Sequence, residues 1–423
     1  MYDVIVVGGG AAGFYTAIHL AEARPDLKVA ILERGKEVLS KVKVSGGGRC
    51  NVTHAEFDPN ELVKNYPRGE KELRGPFHSY ACGDTVGFFE NRGVRLKIEE
   101  DGRMFPVSDS SQSIIDCFLT EVERLNVKVL KHSAVTDIKK VSNGWQVVTI
   151  KHAYQCDKLV VATGSNPKIW KLLQQLGHSI EPAVPSLFTF NCKDKRISGI
   201  PGVSSEATIE VFENRLSDTK VSVRLKSQKA RKPLLVSEGP VLITHWGLSG
   251  PAVLKLSAWG AKILHKLAYH FKVRINWLPE YNFEGILGLL MEVKRVEGKK
   301  TVHRTKATDL PRRLWVNLAK AARISAADKW ADIKKEHLEA LAAQLTECEL
   351  KIEGKSTFKE EFVTAGGVNL KELDFKTYES KVHSGLYFAG EVINVDAITG
   401  GFNFQNAWTG GYMVANAIAN EFK

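Results

Sequence analysis

The chain has 423 residues, of which 43% are hydrophobic and 25% are charged, a composition typical of a globular protein with two or three domains. It has no apolar run long enough for a membrane helix and no basic leader, which disfavours a membrane span and a secretory signal. Its six cysteines form no C-x-x-C pair and no zinc-ligand spacing, so we expect a cytoplasmic protein without a structural metal or a dithiol redox centre.

The excess of positive charge lies in the middle of the chain. Residues 191–353 contain 29 Lys and Arg but 18 Asp and Glu, which accounts for the whole net charge of +11. One interpretation is a solvated surface that keeps the protein in solution. The other is a positive potential that attracts an anionic substrate, a nicotinamide phosphate or a nucleic acid.

The start of the chain predicts a strand, a glycine-rich turn and a helix. Residues 4–7 are a short β-branched strand and residues 14–23 have helical character. The spacing G-x-G-x-x-G lies between them: Gly8 makes the tight turn, Gly10 lets backbone approach a pyrophosphate, and Gly13 permits close packing of helix on strand. The N–H groups and the dipole at the helix N-terminus favour phosphate there.

A carboxylate follows the next predicted strand, residues 29–32. It is Glu33, 20 residues after Gly13, and it can accept hydrogen bonds from both ribose hydroxyls of an adenosine while disfavouring a 2′-phosphate. Strand, fingerprint, helix, strand and acidic terminus together predict a dinucleotide site. The alternative for residues 8–13 is a plain tight turn.

Three later segments indicate which dinucleotide it is. Residues 45–51 are a second glycine cluster that can run close to a flat ring system, residues 156–164 are a strand ending in Ala-Thr-Gly, and residues 385–391 are a strand ending in Gly and Glu. This set resembles the flavoproteins with two dinucleotide-binding domains. In those proteins the Ala-Thr-Gly strand passes near the dinucleotide and the late Gly-acid pair reaches the ribityl chain, so the resemblance implies FAD.

The resemblance extends to one bacterial family, that of FAD-dependent oxidoreductases which includes bile-acid Δ4-reductase-like proteins and aminoacetone oxidases. Seven blocks that run in order over essentially the whole chain carry it: SGGGRCN (45–51), NYPRG (65–69), GRMFPVSD (102–109), PSLFTF (185–190), THWGLSGP (244–251), VTAGGV (363–368) and GGFNFQ (400–405).

The resemblance also implies the cofactor contacts. It assigns the pyrophosphate to Gly8, Gly10, Ala12 and Gly13. It assigns the adenosine end to Glu33 and Arg34, and to the backbone of Val135 on the predicted β-type stretch 133–138. Further contacts fall to Lys41, Gly48, Arg49, Cys50, Asn51, Ala162, Thr163, Gly164, Gly390 and Glu391, with the loop 49–51 beside the isoalloxazine. The alternative for Glu391 is a solvated turn acid.

The last predicted helix, residues 404–421, is opened by Gly401, Phe402 and Asn403. The resemblance aims the N–H groups of its N-terminus at the N1 and O2 side of the flavin, where they would stabilise the negative charge of the reduced ring. Simple helix capping is the alternative for Asn403 and for Gln405.

The predicted fold class is α/β, a Rossmann-type FAD domain of the two-dinucleotide-binding flavoproteins with an inserted β-barrel plus helical domain. We expect the FAD domain in residues 1–190 and 354–423, the barrel in 191–278 and the helical part in 279–353. Short β-like runs (207–212, 220–225, 241–244 and 269–275) predict the barrel, and apolar residues at helical spacing (282–293, 309–322 and 331–345) predict the helices.

Two residues are candidates for catalysis. His245 ends an apolar strand in a glycine-rich turn and could donate a proton, or it could hold the turn by hydrogen bonds. Cys50 could be a proton donor or an electrophile-sensitive thiol, or a small residue packed in its loop. Arg49 could polarise a substrate carbonyl or hold the phosphate side of the flavin, or it could make an ordinary buried ion pair.

The absence of a second G-x-G-x-x-G and of C-x-x-C predicts direct flavin chemistry. We expect hydride transfer between FAD and a small organic substrate, which could be anionic. The redox partner would be NAD(P)H as donor (enone reductase type) or dioxygen as acceptor (amine oxidase type). Two alternatives stay open: an RNA-modifying flavoprotein and a non-catalytic FAD-binding redox protein. Nucleic acid is disfavoured because the basic positions show no clear interleaving with stacking aromatics, and no membrane partner is expected.

Overall fold

A computed structural model describes residues 1–212, 232–356 and 363–422. The helices in these ranges are α1 Ala11–Ala23, α2 Ser40–Val44, α3 Pro59–Leu62, α4 Arg74–Ser79, α5 Cys82–Glu90, α6 Gln112–Arg124, α7 Pro167–Gln175, α8 Pro251–Trp259, α9 Ala261–Lys266, α10 Phe283–Val296, α11 Arg312–Ala321, α12 Lys335–Thr346 and α13 Phe402–Glu421.

The strands are β1 Tyr2–Val7, β2 Val29–Leu32, β3 Thr53–His54, β4 Leu96–Ile98, β5 Arg103–Pro106, β6 Lys128–Leu130, β7 Val135–Val141, β8 Gly144–Thr149, β9 Ala153–Val161, β10 Ile180–Pro185, β11 Thr189–Asn191, β12 Ser204–Phe212, β13 Leu235–Ile243, β14 Gly247–Ser249, β15 His270–Asn276, β16 Cys348–Glu353, β17 Lys355–Ser356, β18 Thr364–Val368, β19 Leu373–Asp374, β20 Glu379–Ser380 and β21 Leu386–Phe388.

The chain divides into two compact units, Met1–Pro185 with Lys359–Lys423 (unit 1) and Ser186–Phe358 (unit 2). Each unit has its own buried apolar core. The domain boundaries given above, including the division of the insert near residue 278, stay predictions.

Unit 1 is built on a sheet with the order β19-β20-β21-β9-β1-β2-β6, in which β21, β9, β1, β2 and β6 are parallel neighbours. The central strands are buried on both faces, as their continuous apolar runs predict. Helices α1 and α13 pack against each other. The carboxyl ends of the parallel strands share one edge of the sheet, which in open α/β sheets is where ligands bind.

Unit 2 contains a sheet with the order β16-β15-β12-β13-β14-β11-β17. Gly354 alone separates β16 from β17. Its carbonyl accepts from the N–H of Asn191, and its N–H donates to the carbonyl of Tyr269. The two ends of the strand order are therefore parts of one stretch of chain, and the sheet closes into a barrel. Helices α10, α11 and α12 lie between β15 and β16 in the chain and share the core of this sheet.

The predicted fold class is therefore confirmed. Strand 29–32 is found with the predicted bounds, and the first helix begins three residues earlier than predicted, at Ala11. The predicted β-like run 220–225, and residues 213–231 of the basic segment 191–353, lie outside the described residues.

Candidate functional site

The carboxyl edge of the sheet in unit 1 begins with the predicted glycine turn. Gly8 has φ +118°, and a Cβ there would lie 2.4 Å from the carbonyl oxygen of Ala162. A Cβ on Gly13 would lie 1.9 Å from the carbonyl oxygen of Gly8, so α1 is packed directly on the turn. A Cβ on Gly10 would meet nothing within 4 Å. The protein itself therefore leaves no room for a side chain at Gly8 or Gly13, whereas the space beside Gly10 is open.

Helix α1 begins beside this opening without a side-chain cap, since Gly10 is its N-cap residue. The first N–H groups of a helix lack partners within the helix, and they carry the positive end of its dipole. The open side of the turn therefore offers hydrogen-bond donors to an anion, as the pyrophosphate of a dinucleotide requires.

Glu33 follows β2 at the same edge. Its carboxylate accepts hydrogen bonds from the N–H of Gly9, at 2.9 Å, and of Gly35, at 2.7 Å. These contacts fix the carboxylate and leave lone pairs for further donors such as ribose hydroxyls. The N–H of Ser133 donates to the carbonyl of Glu33, which brings the start of the Val135 strand to this position. Arg34 is exposed.

Two further strands end at this edge. The N–H of Ala389 donates to the carbonyl of Val161, so the Ala-Thr-Gly strand and the late strand lie side by side. A Cβ on Gly164 would lie 3.6 Å from the Glu391 carboxylate, whose other neighbour is the Lys41 ammonium at 2.5 Å. Thr163 has a buried hydroxyl that finds no partner among the described residues.

The second glycine cluster is held in left-handed backbone conformations. Gly46, Gly47 and Gly48 have φ values of +56°, +69° and +86°, and Cys50 has φ +60°. A Cβ on Gly47 or Gly48 would meet nothing within 4 Å, so this stretch of backbone is open to a close neighbour. Open glycine backbone of this kind is typical of loops that lie close to a ligand.

Arg49 and Cys50 have surroundings that the sequence did not define. The Arg49 guanidinium pairs with Glu99 at 2.6 Å and Asp109 at 3.5 Å, and it lies 3.9 Å from the centre of the Phe105 ring. Burial raises the pKa of the Cys50 thiol to about 12, which opposes a thiolate at neutral pH. Their proposed contacts with substrate stay predictions.

Helix α13 begins two residues earlier than predicted, at Phe402, because Gly401 is its N-cap with φ +92°. With its amide oriented to satisfy both neighbours, Asn51 donates to the carbonyl of Thr53 and accepts from the N–H of Gly401, each at 3.0 Å. The glycine cluster and the N-terminus of α13 are therefore joined directly.

Asn403 and Gln405 are occupied within the protein. The Asn403 amide accepts a hydrogen bond from the N–H of Ala397, at 3.0 Å, and donates one to the carbonyl of Ala397, at 3.2 Å. Gln405 is buried and accepts from the hydroxyl of Thr53 at 2.6 Å. Both side chains shape the loop around the N-terminus of α13, and the binding role given to Asn403 stays a prediction.

Sequence reasoning missed the ion pair of Arg68 with Asp396, in which the carboxylate is fully buried and bonded through both oxygens. It fixes the loop that precedes α13. The NYPRG block contains Arg68, but its partner lies 328 residues away, and no local pattern indicates it.

His245 lies in unit 2, between β13 and β14, and its side chain is exposed. Thr244, rather than His245, holds the turn: its hydroxyl accepts from the N–H of Gly247 at 3.2 Å. The role of His245 as a proton donor stays a prediction.

These observations test whether the residues fit FAD. An open glycine turn, an anchored acid after β2, an unpartnered buried hydroxyl, a second open glycine loop and two uncapped helix N-termini all belong to unit 1. The donors suit the phosphates and the electron-accepting edge of a flavin, so the residues fit the cofactor.

The fold and this edge define an FAD-binding Rossmann flavoprotein and, as a class, an FAD-dependent oxidoreductase. More particularly, the chain belongs to the HI0933-like family, because the HI0933-like protein Rossmann domain matches residues 2–417. The resemblance drawn from the sequence blocks is thereby confirmed.

Three similar proteins are informative. A 3-dehydro-bile acid delta(4,6)-reductase of Clostridium scindens is 28% identical over 437 residues, with 99% of each chain covered. A ribosomal RNA dihydrouridine synthase of Escherichia coli is also 28% identical, over 426 residues that cover 99% of this chain and 98% of the relative. The structure of a 3-ketosteroid-delta4-(5alpha)-dehydrogenase of Rhodococcus jostii covers 99% of this chain and 96% of its own, with a TM-score of 0.51 and 12% identity, and shows the fold alone.

Within the described residues no helix combines the length and apolarity needed to cross a membrane.

Proposed function

We propose that the protein is an FAD-dependent reductase that adds two hydrogens across a carbon–carbon double bond conjugated with a carbonyl group. The observation that carries the proposal is the carboxyl edge of unit 1, with its open glycine turn and its open glycine loop. The names of the Clostridium and Escherichia relatives support the reaction class. Reduction of a Δ4 bond beside a 3-keto group and conversion of uridine to dihydrouridine both saturate such a bond.

FAD supplies the hydride when it is bound. The chain would contribute the surroundings: the N–H groups at the N-terminus of α13, beside Gly401 and Phe402, would stabilise negative charge on the pyrimidine edge of a bound flavin. The Lys41–Glu391 ion pair would lie at its ribityl side.

We further propose that NADPH or NADH donates the electrons. The chain has one G-x-G-x-x-G, which the FAD occupies, so the nicotinamide binds without a Rossmann domain of its own. The oxidase alternative, with dioxygen as acceptor, predicts that the substrate itself reduces the flavin and that nicotinamide does not.

The first candidate substrate is a small conjugated ketone, including anionic ones that the basic segment 191–353 would attract. The second is uridine in RNA, and the same distribution of charge favours it because RNA is a polyanion.

A reduction assay tests the proposal. The FAD-loaded protein and NADPH are incubated without oxygen, in parallel, with a 4-ene-3-keto steroid and with RNA transcribed without modification, and the products are analysed by mass spectrometry. The proposal predicts the gain of two hydrogens in one of them. Failure of both, with electrons entering the flavin only from an amine, would overturn it in favour of the oxidase.

A further inference from the structure

One surface of unit 2 combines positive charge with exposed aromatic area. Residues 239–279 contain five Lys and Arg and no Asp or Glu. Helices α8 and α9 lie within this stretch, separated by Gly260 alone. Arg274, on β15, is balanced by Glu210 and Glu349 of the neighbouring strands, which leaves the two helices as the part of this stretch to consider.

The two helices each present an exposed pair of residues. Lys255 and Trp259 are four residues apart on α8, and Ile263 and Lys266 are three residues apart on α9, the spacings that place side chains on one face of a helix. Trp259 and Ile263 are each 39% exposed, and the two lysines are exposed. We call these four residues the α8–α9 face.

The opposite side of the helices is buried, with Val253, Leu256 and Leu264 in the core of unit 2. The apolar side is therefore committed to the barrel and cannot enter a bilayer, as a membrane-binding helix requires. This favours a polyanion over a lipid surface as the partner of the α8–α9 face.

The cations of the face differ from many others of unit 2. Arg196 pairs with Asp194, and Lys300 pairs with Glu297. The described residues give neither Lys255 nor Lys266 an ion-pair partner. Their charge is thus available to phosphate groups.

Trp259 lies between the two lysines on this face. An exposed indole offers a surface for base stacking that every nucleobase can use. The sequence argument against nucleic acid, that basic and aromatic positions do not interleave, therefore does not hold here.

We propose that the α8–α9 face binds a single-stranded segment of RNA, with phosphates on Lys255 and Lys266 and a base on Trp259. The inference rests on the second candidate function above, in which RNA is the substrate. It adds the surface and the residues by which unit 2 holds that substrate.

The test measures binding of a fluorescent single-stranded uridine-rich RNA to the FAD-loaded protein by anisotropy, over a series of salt concentrations. The variants are K255E/K266E and Trp259→Ala. The matched control is K335E/K351E, which makes the same change of charge at lysines paired with Glu339 and Glu353. Flavin content and thermal unfolding report that all variants are folded.

We expect K255E/K266E to weaken binding more than tenfold. The negative slope of log K against log salt should become shallower by about 1.4, because each phosphate contact contributes about 0.7 to its magnitude. Trp259→Ala should weaken binding about tenfold with an unchanged slope, since stacking carries no charge. Absence of binding, an equal loss in the control, or preference for anionic vesicles would overturn the inference.

Its failure is distinguishable from failure of the proposed function. RNA bound through the face without reduction of uridine would refute the second candidate function and retain the surface. Reduction of uridine at the wild-type rate by K255E/K266E would retain that function and refute the surface.

Discussion

Substitution of Gly10 separates a cofactor site from a structural turn. A Cβ at Gly10 would meet nothing within 4 Å and the backbone φ is −99°, so we expect the protein itself to tolerate Gly10→Glu. We expect the stability of the flavin-free protein to change by less than about 1 kcal/mol, the scale of N-cap and helix-dipole effects.

Flavin binding should respond very differently. The new carboxylate would stand where the pyrophosphate approaches, and two like charges about 4 Å apart repel by about 4 kcal/mol at an effective dielectric constant of about 20. That energy corresponds to an affinity about a thousand times weaker. Purified Gly10→Glu should therefore be colourless but folded.

Gly13→Ala is the comparison. Its Cβ would lie 1.9 Å from the carbonyl oxygen of Gly8, so we expect a loss of stability of about 1–3 kcal/mol or more. The assay is visible flavin absorbance per protein, with urea unfolding of the apo forms. Fully yellow Gly10→Glu protein, or Gly10→Glu as unstable as Gly13→Ala, would refute the reasoning.

Three further predictions concern buried ionisable groups. Asp396→Ala removes the carboxylate that faces the largely buried Arg68 guanidinium, so it should lower the free energy of unfolding in urea by about 3–5 kcal/mol. Lys64→Ala, which breaks an exposed ion pair, should lower it by less than about 1 kcal/mol. The pKa of Cys50 is raised to about 12, so the folded state holds that proton more tightly than the unfolded state above pH 9. Stability should therefore fall as pH rises from 9 toward 12, and less steeply in Cys50→Ser; an unchanged slope would contradict this. Burial lowers the pKa of His19 to about 3, so stability should fall as pH drops from 6.5 toward 3, and His19→Gln should flatten that loss in acid unfolding curves.

Local backbone geometry explains what the sequence could predict. The contact of Gly8 with Ala162 is long-range, but the φ of +118° at Gly8 and the clash of a Gly13 Cβ with the Gly8 carbonyl are local reasons for glycine. Glu33 follows from the length of one strand–helix–strand unit. These features could be assigned without knowledge of distant contacts.

Other features depend on long-range contacts and could not be predicted. The Asn51 amide reaches Gly401, and Arg68 pairs with Asp396, across more than three hundred residues. Whether Arg49 faces a substrate or two carboxylates depends on a separate hairpin that places Glu99 nearby. Exposure of Trp259 follows from which side of α8 the barrel covers, which no spacing rule decides alone.

Reduction of the flavin by a nicotinamide is best followed by visible absorbance. The FAD-loaded protein is titrated without oxygen with NADPH and, separately, with NADH. The account predicts that the oxidised flavin bands bleach with one of the two, and that a conjugated ketone or a uridine-containing RNA restores them. Flavin bands that persist with both nucleotides while an amine bleaches them would contradict it.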